Sequence, residues 1–271
     1  MATITASMVN ELRAKTSLGM MECKKLLTEA GGDLEKAIDI ARKKGVKASL
    51  TERAASEGRV AGVASADGSA AALVELNCNT DFTAKSEPFL KAATKAAQLL
   101  AHNPDTDVAA AADVSADVTA VAQTTGENVR VGKTAVLKAP AGGKVGLYLY
   151  GITGKIGVVM AFTGNPSEDL VKQIGGHIAF ARPLGLTRDE VPPDLVAKER
   201  EIAVEQAKAT GKPQQIAEKI AEGKLNAFFA ERVLLDQEFF NAQVFKGTIA
   251  NYLKTQNVQL TKYARVEVGQ A

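Results

Sequence analysis

The residues best suited to act on another molecule lie in one short run, Thr80-Asp81-Phe82-Thr83-Ala84-Lys85. It places a carboxylate, an ammonium group and a large aromatic ring within six positions. An aspartate beside a phenylalanine joins a charge and hydrogen-bond acceptor to an apolar wedge, which suits recognition of another macromolecule. Other chemistry is thinly represented. His102 and His177 are the only histidines, and neither has a second ligand at metal-binding spacing. Cys78 ends an apolar run without a recognisable base, so it reads as a small core residue rather than a nucleophile. Cys23 and Cys78 form no CxxC pair, which argues against structural zinc and suits a reducing compartment. Gly142-Gly143 and the stretch Gly151 to Gly157 match neither GxGxxG nor GxxxxGK[ST], so no phosphate-cradling loop is expected. The expectation is a protein with no catalytic residue, no bound metal and no cofactor.

Two elements must position the run. Upstream, Ala71 to Leu76 is short, apolar and free of breakers, the pattern of a buried strand. Downstream, from Glu87 to Ala101, Phe89, Leu90, Ala93, Ala96, Ala97 and Leu100 recur at helical spacing. A strand-to-helix junction is held by rigid elements on both sides. The competing reading is an ordinary helix start, capped by Thr80 or Asp81, with Phe82 folded into the core.

A chain of 271 residues with 46% hydrophobic content can bury a sizeable core and form two or three domains. The net charge of +2 carries no polyanion-binding signature. No stretch approaches 18 apolar residues, and the start lacks a signal-peptide pattern, so a soluble cytoplasmic protein is expected, with no membrane and no direct nucleic-acid partner. The basic run Arg42, Lys43, Lys44, Lys47 and Arg53 lacks interleaved aromatics or glycines and reads as a solvated helix end and linker.

The fold class expected is α+β. Thr5 caps a first helix ending near Lys15, a turn at Thr16 to Gly19 leads to a second from Met20 to Ala30, and Asp33 caps a third from Leu34 to Lys44, closed by Gly45. This three-helix unit, residues 1–54, places Arg13, Met20 and Met21 beside its first turn, where methionines adapt to a partner surface; the competing expectation is that both methionines are core, and one of the two is expected to be. A core in two parts follows, residues 55–140 and 141–271. Val60 to Asn79 reads strand, Asp67-Gly68 turn, strand, and Val145 to Gly164 repeats the pattern with a turn near Thr153-Gly154. Each hairpin precedes a helix ending near a proline, Pro104 and Pro183. The junction is six residues longer in the first copy, around Thr80 to Pro88, which suggests a task there. Asp105 to Val118 reads as a poorly specifying connection, and Thr134 to Lys138 as a further strand. Residues about 192–230 read as a protruding helical hairpin, with Asp194 capping a helix to Thr210 and Gly211-Lys212-Pro213 at the bend. Leu195, Ile202 and Ala209 form a narrow seam on its first helix, with Ile216, Ile220 and Leu225 on the second. Such an arm serves either self-association or packing along its parent domain. Gln243 to Lys254 reads as a short helix and Tyr263 to Val268 as a closing strand.

The run Thr80 to Lys85 resembles the Thr-Asp-Phe-Val-Ala-Lys motif of bacterial elongation factor Ts. Leu12-Arg13 with Gly19 to Leu26 is similar to that family's N-terminal signature, and Lys212-Pro213 with Ile216 to Gly223 to its coiled-coil arm; the likeness spans essentially the whole chain. The resemblance implies a guanine nucleotide exchange factor for the translational GTPase elongation factor Tu. It implies a ubiquitin-associated-like (UBA-like) N-terminal domain, a two-part core and a coiled coil. Thr80, Asp81, Phe82 and Thr83 would intrude beside the partner's nucleotide and dislodge its magnesium ion, while Arg13, Met20 and Met21 would touch its GTP-binding domain. Thr83 stands where valine is usual. Tyr150 stands where many members have His before Gly, at the tip of the second hairpin, the position of a further contact. Read from the residues alone, the alternative is a scaffold or chaperone-like module binding through its small helical domain.

Overall fold

The computed structural model describes residues 4–16, 18–43, 55–209, 211 and 213–270. Ser17 in the turn at Thr16 to Gly19, together with Lys44, Gly45, Lys47, Arg53, Thr210 and Lys212, lies outside the described residues.

The first helices are set by their caps. Thr5 Oγ1 accepts the Met8 N–H at the start of α1 (Ala6–Thr16). Helix α2 (Met20–Glu29) and helix α3 (Leu34–Lys43) follow, and Asp33 Oδ1 accepts the Lys36 N–H ahead of α3. Leu12, Leu18, Cys23, Leu26, Leu27 and Ala37 close into one apolar cluster between the three helices.

Contacts divide the chain into two compact units. One comprises Met1–Ala61, Leu73–Thr134 and Val266–Ala271, the other Gly62–Ala72 and Ala135–Arg265. Strands β1 (Glu57–Ala64) and β2 (Ala70–Cys78) form a hairpin through the Asp67-Gly68 turn, so close a connection that only antiparallel pairing is possible. Helix α4 (Asp81–Lys85), helix α5 (Glu87–His102), helix α6 (Ala112–Thr125) and β3 (Arg130–Lys138) complete the series, and the sheet order is β1-β2-β3. Every residue of β2 is buried, Glu75 and Asn77 included. The Glu75 side chain accepts from Asn77 Nδ2 at 2.6 Å, Lys133 N at 3.0 Å and Gly269 N at 2.9 Å, so a polar group inside the sheet is met by three donors. Leu76, Cys78, Phe89, Ala92, Ala93, Val121 and Val129 form the apolar layer on which α5 and α6 sit. The expected loose connection is thus partly helical: α6 begins at Ala112 because Val114 and Val121 bury on one face.

A second hairpin, β4 (Gly143–Leu149) and β5 (Ile156–Thr163), pairs antiparallel from Gly143 opposite Thr163 to Leu149 opposite Gly157. Ser167 caps α7 (Glu168–Ala181), whose Gly175 meets Tyr148 so closely that a β-carbon there would lie 2.3 Å from the Tyr148 β-carbon. Helices α8 (Pro193–Lys208) and α9 (Gln214–Arg232) make the hairpin. Pro192 rather than Asp194 holds the cap position of α8, placing Asp194 in the first turn. The buried seam consists of Ala203, Ala207, Ala217, Ala221 and Leu225, while Ile202 and Ile216 face outward. Small residues let two helices approach closely, so along Ala203, Ala207, Ala217 and Ala221 alanines rather than Ile202 and Ile216 are inside, while the expected Leu195 and Leu225 pack together with Phe229. Arg188 ties the hairpin base: it donates to Asp236 Oδ2 at 2.6 Å and Asn226 Oδ1 at 3.0 Å, and stands 4.9 Å over the Phe229 ring. The expected helix at Gln243 starts later: α10 (Ile249–Thr255) is capped by Thr248, and β6 (Gln259–Glu267) closes the order β4-β5-β6. No helix among the described residues is long and apolar enough to cross a membrane.

Candidate functional site

The six residues by which the first hairpin-to-helix junction exceeds the second contain a separate turn of helix. Thr80 adopts an extended backbone and caps α4, its Oγ1 accepting the Thr83 N–H at 3.3 Å. The turn stops at Ser86, which returns to extended backbone and donates its hydroxyl to Thr83 O at 2.8 Å. A new helix, α5, starts there with Pro88 in its first turn, the position where proline is best tolerated. The sequence therefore builds a knuckle, α4, between a buried strand and a buried helix.

Almost every group of the knuckle is anchored from below. Ala84 is buried in the layer of Leu76 and Phe89. The Cys78 thiol donates to Thr80 O at 3.1 Å, and burial, aided by the charge of Glu127, pushes its pKa up to about 12. Such a thiol is inert at neutral pH, as a core role requires. Arg59 donates Nε–H to Ala84 O at 3.3 Å.

The strongest anchor is Glu127, just past α6. Its Oε2 accepts the backbone N–H groups of Asn79 at 2.9 Å and Thr80 at 3.0 Å. Its Oε1 accepts the hydroxyls of Thr80 at 2.6 Å and Thr83 at 2.7 Å. Partial burial acts against the charged form, but these bonds outweigh it and hold the carboxyl below its ordinary range. Thr83 is only 5% exposed, so its hydroxyl belongs to this internal network.

Phe82 is the exception, 83% exposed at the crest of the knuckle. The competing expectation, Phe82 folded into the core, does not hold: the turn begun by Thr80 puts Thr83 and Ala84 inward and leaves Phe82 facing solvent. Asp81 is not the cap; it opens the helix and pairs with Lys85 at 2.6 Å, both about half exposed. The arrangement offers an aromatic ring and a carboxylate on a rigid support, with no group placed for covalent chemistry.

A match to the family model described as Elongation factor TS covers residues 79–270, starting at the residue before the Thr80 cap of the knuckle. Relatives named Elongation factor Ts match nearly the whole chain. The protein of Thioalkalivibrio sulfidiphilus is 40% identical over 99% of this chain and 93% of its own length. That of Cupriavidus taiwanensis is 43% identical over 100% and 92%, and that of Nitratidesulfovibrio vulgaris 39% over 98% and 96%. The chain belongs to the elongation factor Ts family.

The other positions singled out in this elongation factor Ts chain lie elsewhere. Met20 and Met21 open α2, 56% and 80% exposed, so neither is core. Arg13 is half-buried near the end of α1. Tyr150 is half-buried at the end of β4, edge-on to Phe180 with ring centroids 5.0 Å apart, and Ile152 beyond it is exposed. Thr80 to Thr83 thus form one continuous segment at the start of α4, Arg13, Met20 and Met21 stand on the helical bundle, and Tyr150 belongs to the other compact unit. His177, buried against Phe239 and bonded to Gln237 at 3.0 Å, is a core histidine whose pKa burial lowers. Sequence reasoning missed Glu127, which meets Thr80 across 47 positions. Its only local signal is an acid directly after Gly126, whose φ of 70° closes α6.

Proposed function

We propose that the chain is the guanine nucleotide exchange factor for the translational GTPase elongation factor Tu, and that Asp81 and Phe82 carry the exchange. The observation behind this reading is the contrast within one helical turn: Thr80, Thr83 and Ala84 are tied down from below, and Phe82 between them is exposed. Burying a phenylalanine on docking contributes about 1.5–3 kcal/mol, and a rigid support adds no ordering cost. A ring inserted beside the nucleotide site of the partner displaces the elements that order magnesium, and the Asp81 carboxylate competes for the groups those elements use. Thr80 and Thr83 set the turn. Release follows from linkage, because a factor that binds the nucleotide-free partner better than the GDP-bound one must weaken GDP by the same factor.

In this reading residues 1–54 are a UBA-like module whose Arg13, Met20 and Met21 rest on the GTP-binding domain. Residues 55–140 and 141–271 form the two-part core, with Tyr150 as a further contact. The hairpin, a coiled coil here, remains available for association with another copy. The factor acts in the cytoplasm, without nucleic acid or membrane as a direct ligand. The test is release of fluorescent GDP from magnesium-bound elongation factor Tu at rising concentrations of this chain. The rate should rise and saturate; an unchanged rate despite demonstrated binding would sink the proposal.

A further inference from the structure

We infer that Glu127 is the positioning residue of the knuckle, fixing the direction in which Phe82 is presented; this rests on the exchange reading above. Three observations carry it. The carboxylate accepts four hydrogen bonds, and all four donors lie in Asn79, Thr80 and Thr83, so its accepting capacity is spent on one five-residue segment. The two oxygens divide the work, Oε2 holding the backbone where β2 ends and Oε1 the two hydroxyls on the inner side of α4. Glu127 is in turn fixed from both directions. Gly126 closes α6 in the left-handed conformation, and the Asn128 N–H donates to Asn79 Oδ1 at 2.8 Å, so the two segments grip each other in both senses.

Phe82 lacks packing of its own to fix its direction, because it is exposed. Its orientation is therefore inherited from the backbone of α4. A helix of five residues is too short to be stable by itself and keeps its geometry only through such ties. Glu127 touches neither Asp81 nor Phe82 in these bonds, so it acts through Thr80 and Thr83. Misplacing a working group by about 1 Å can cost a hundredfold in rate.

The test is a double-mutant cycle on GDP release from magnesium-bound elongation factor Tu, with folding of each full-length variant followed by circular dichroism at the assay temperature. Glu127→Ala should lower the saturating release rate at least about tenfold while the variant stays folded. Glu127→Gln should recover most of that loss. The amide oxygen can take the two backbone N–H groups while its NH2 meets hydroxyls that rotate to accept. In a Phe82→Ala background, Glu127→Ala should add much less than it does in the unaltered chain, because only Asp81 remains on α4 to be misplaced. A wild-type rate for folded Glu127→Ala, or losses that multiply in the double variant, would overturn the inference. Should Glu127→Ala fail to fold, Glu127→Asp carries the test: one methylene shorter, it cannot reach all four donors, and a wild-type rate for it would equally overturn the inference. Failure of the exchange reading is distinguishable, because the unaltered chain would then fail to stimulate release at all.

Discussion

Phe82→Ala separates the exposed crest of the knuckle, the proposed working surface, from its buried support. Phe82 is 83% exposed, so truncating it removes almost no buried area, and the folding stability should change by no more than about 0.5 kcal/mol. Phe89, one turn into α5 and wholly buried, provides the internal contrast: the same truncation there should cost about 3–5 kcal/mol. The effect on exchange should run the opposite way. Couplings between a factor and a nucleotide are typically about 1–3 kcal/mol, so loss of the ring should slow stimulated GDP release roughly 5- to 150-fold. Thermal unfolding and stopped-flow release, run on both variants, read the two quantities side by side. Release per folded molecule that is unchanged in Phe82→Ala would refute the reasoning, as would a drop in Tm as large as that of Phe89→Ala.

Asp81→Asn keeps the shape and removes the charge. The Lys85 pair it breaks is exposed and contributes at most about 0.5 kcal/mol, so Tm should hold while release slows less than in Phe82→Ala. Release equal to the unaltered chain at every magnesium concentration would leave Asp81 a purely local role. The Glu127 carboxyl lies below its ordinary value of 4.5 in the folded chain. Its bonds therefore stabilise fully above that pH and are lost as pH falls through the lower folded value. Glu127→Gln should accordingly be less stable than the parent at pH 7, with the gap closing in acid denaturation below pH 4.5; a pH-independent gap would contradict the assignment. Ala217 is fully buried in the α8–α9 seam, so Ala217→Leu should overpack it and cost about 1–3 kcal/mol, measured by thermal unfolding. An unchanged Tm would mean that the two helices do not meet there.

Much of this architecture is legible locally. Thr5 and Asp33 announce helix starts because a cap and its target lie three residues apart, and Asp67-Gly68 announces its hairpin for a similar reason. The motif around Phe82 stands out because its junction is longer than that of the matching hairpin. What sequence alone cannot decide is which way a residue faces when both faces are chemically plausible. Phe82 as a wedge and Phe82 as core differ only in the phase of the turn that Thr80 begins, which decides whether position 82 or positions 83 and 84 face inward. The arm misleads for a different reason. Ile202 and Ile216 are the conspicuous apolar residues, yet alanines fill the seam, since close helix approach favours small side chains over large ones. Glu127 was invisible because its role arises only when β2 and the segment after α6 come together, a contact across 47 positions.

The most direct measurement of the central claim is reciprocal binding. The affinity of this chain for nucleotide-free elongation factor Tu is compared with its affinity for the GDP- and magnesium-bound form, and the affinity of the partner for GDP is measured with and without the chain. Binding to the nucleotide-free form should be tighter, by the same factor with which the chain weakens GDP. Equal affinity for the two forms would contradict it, because a ligand that does not distinguish two states cannot shift the balance between them.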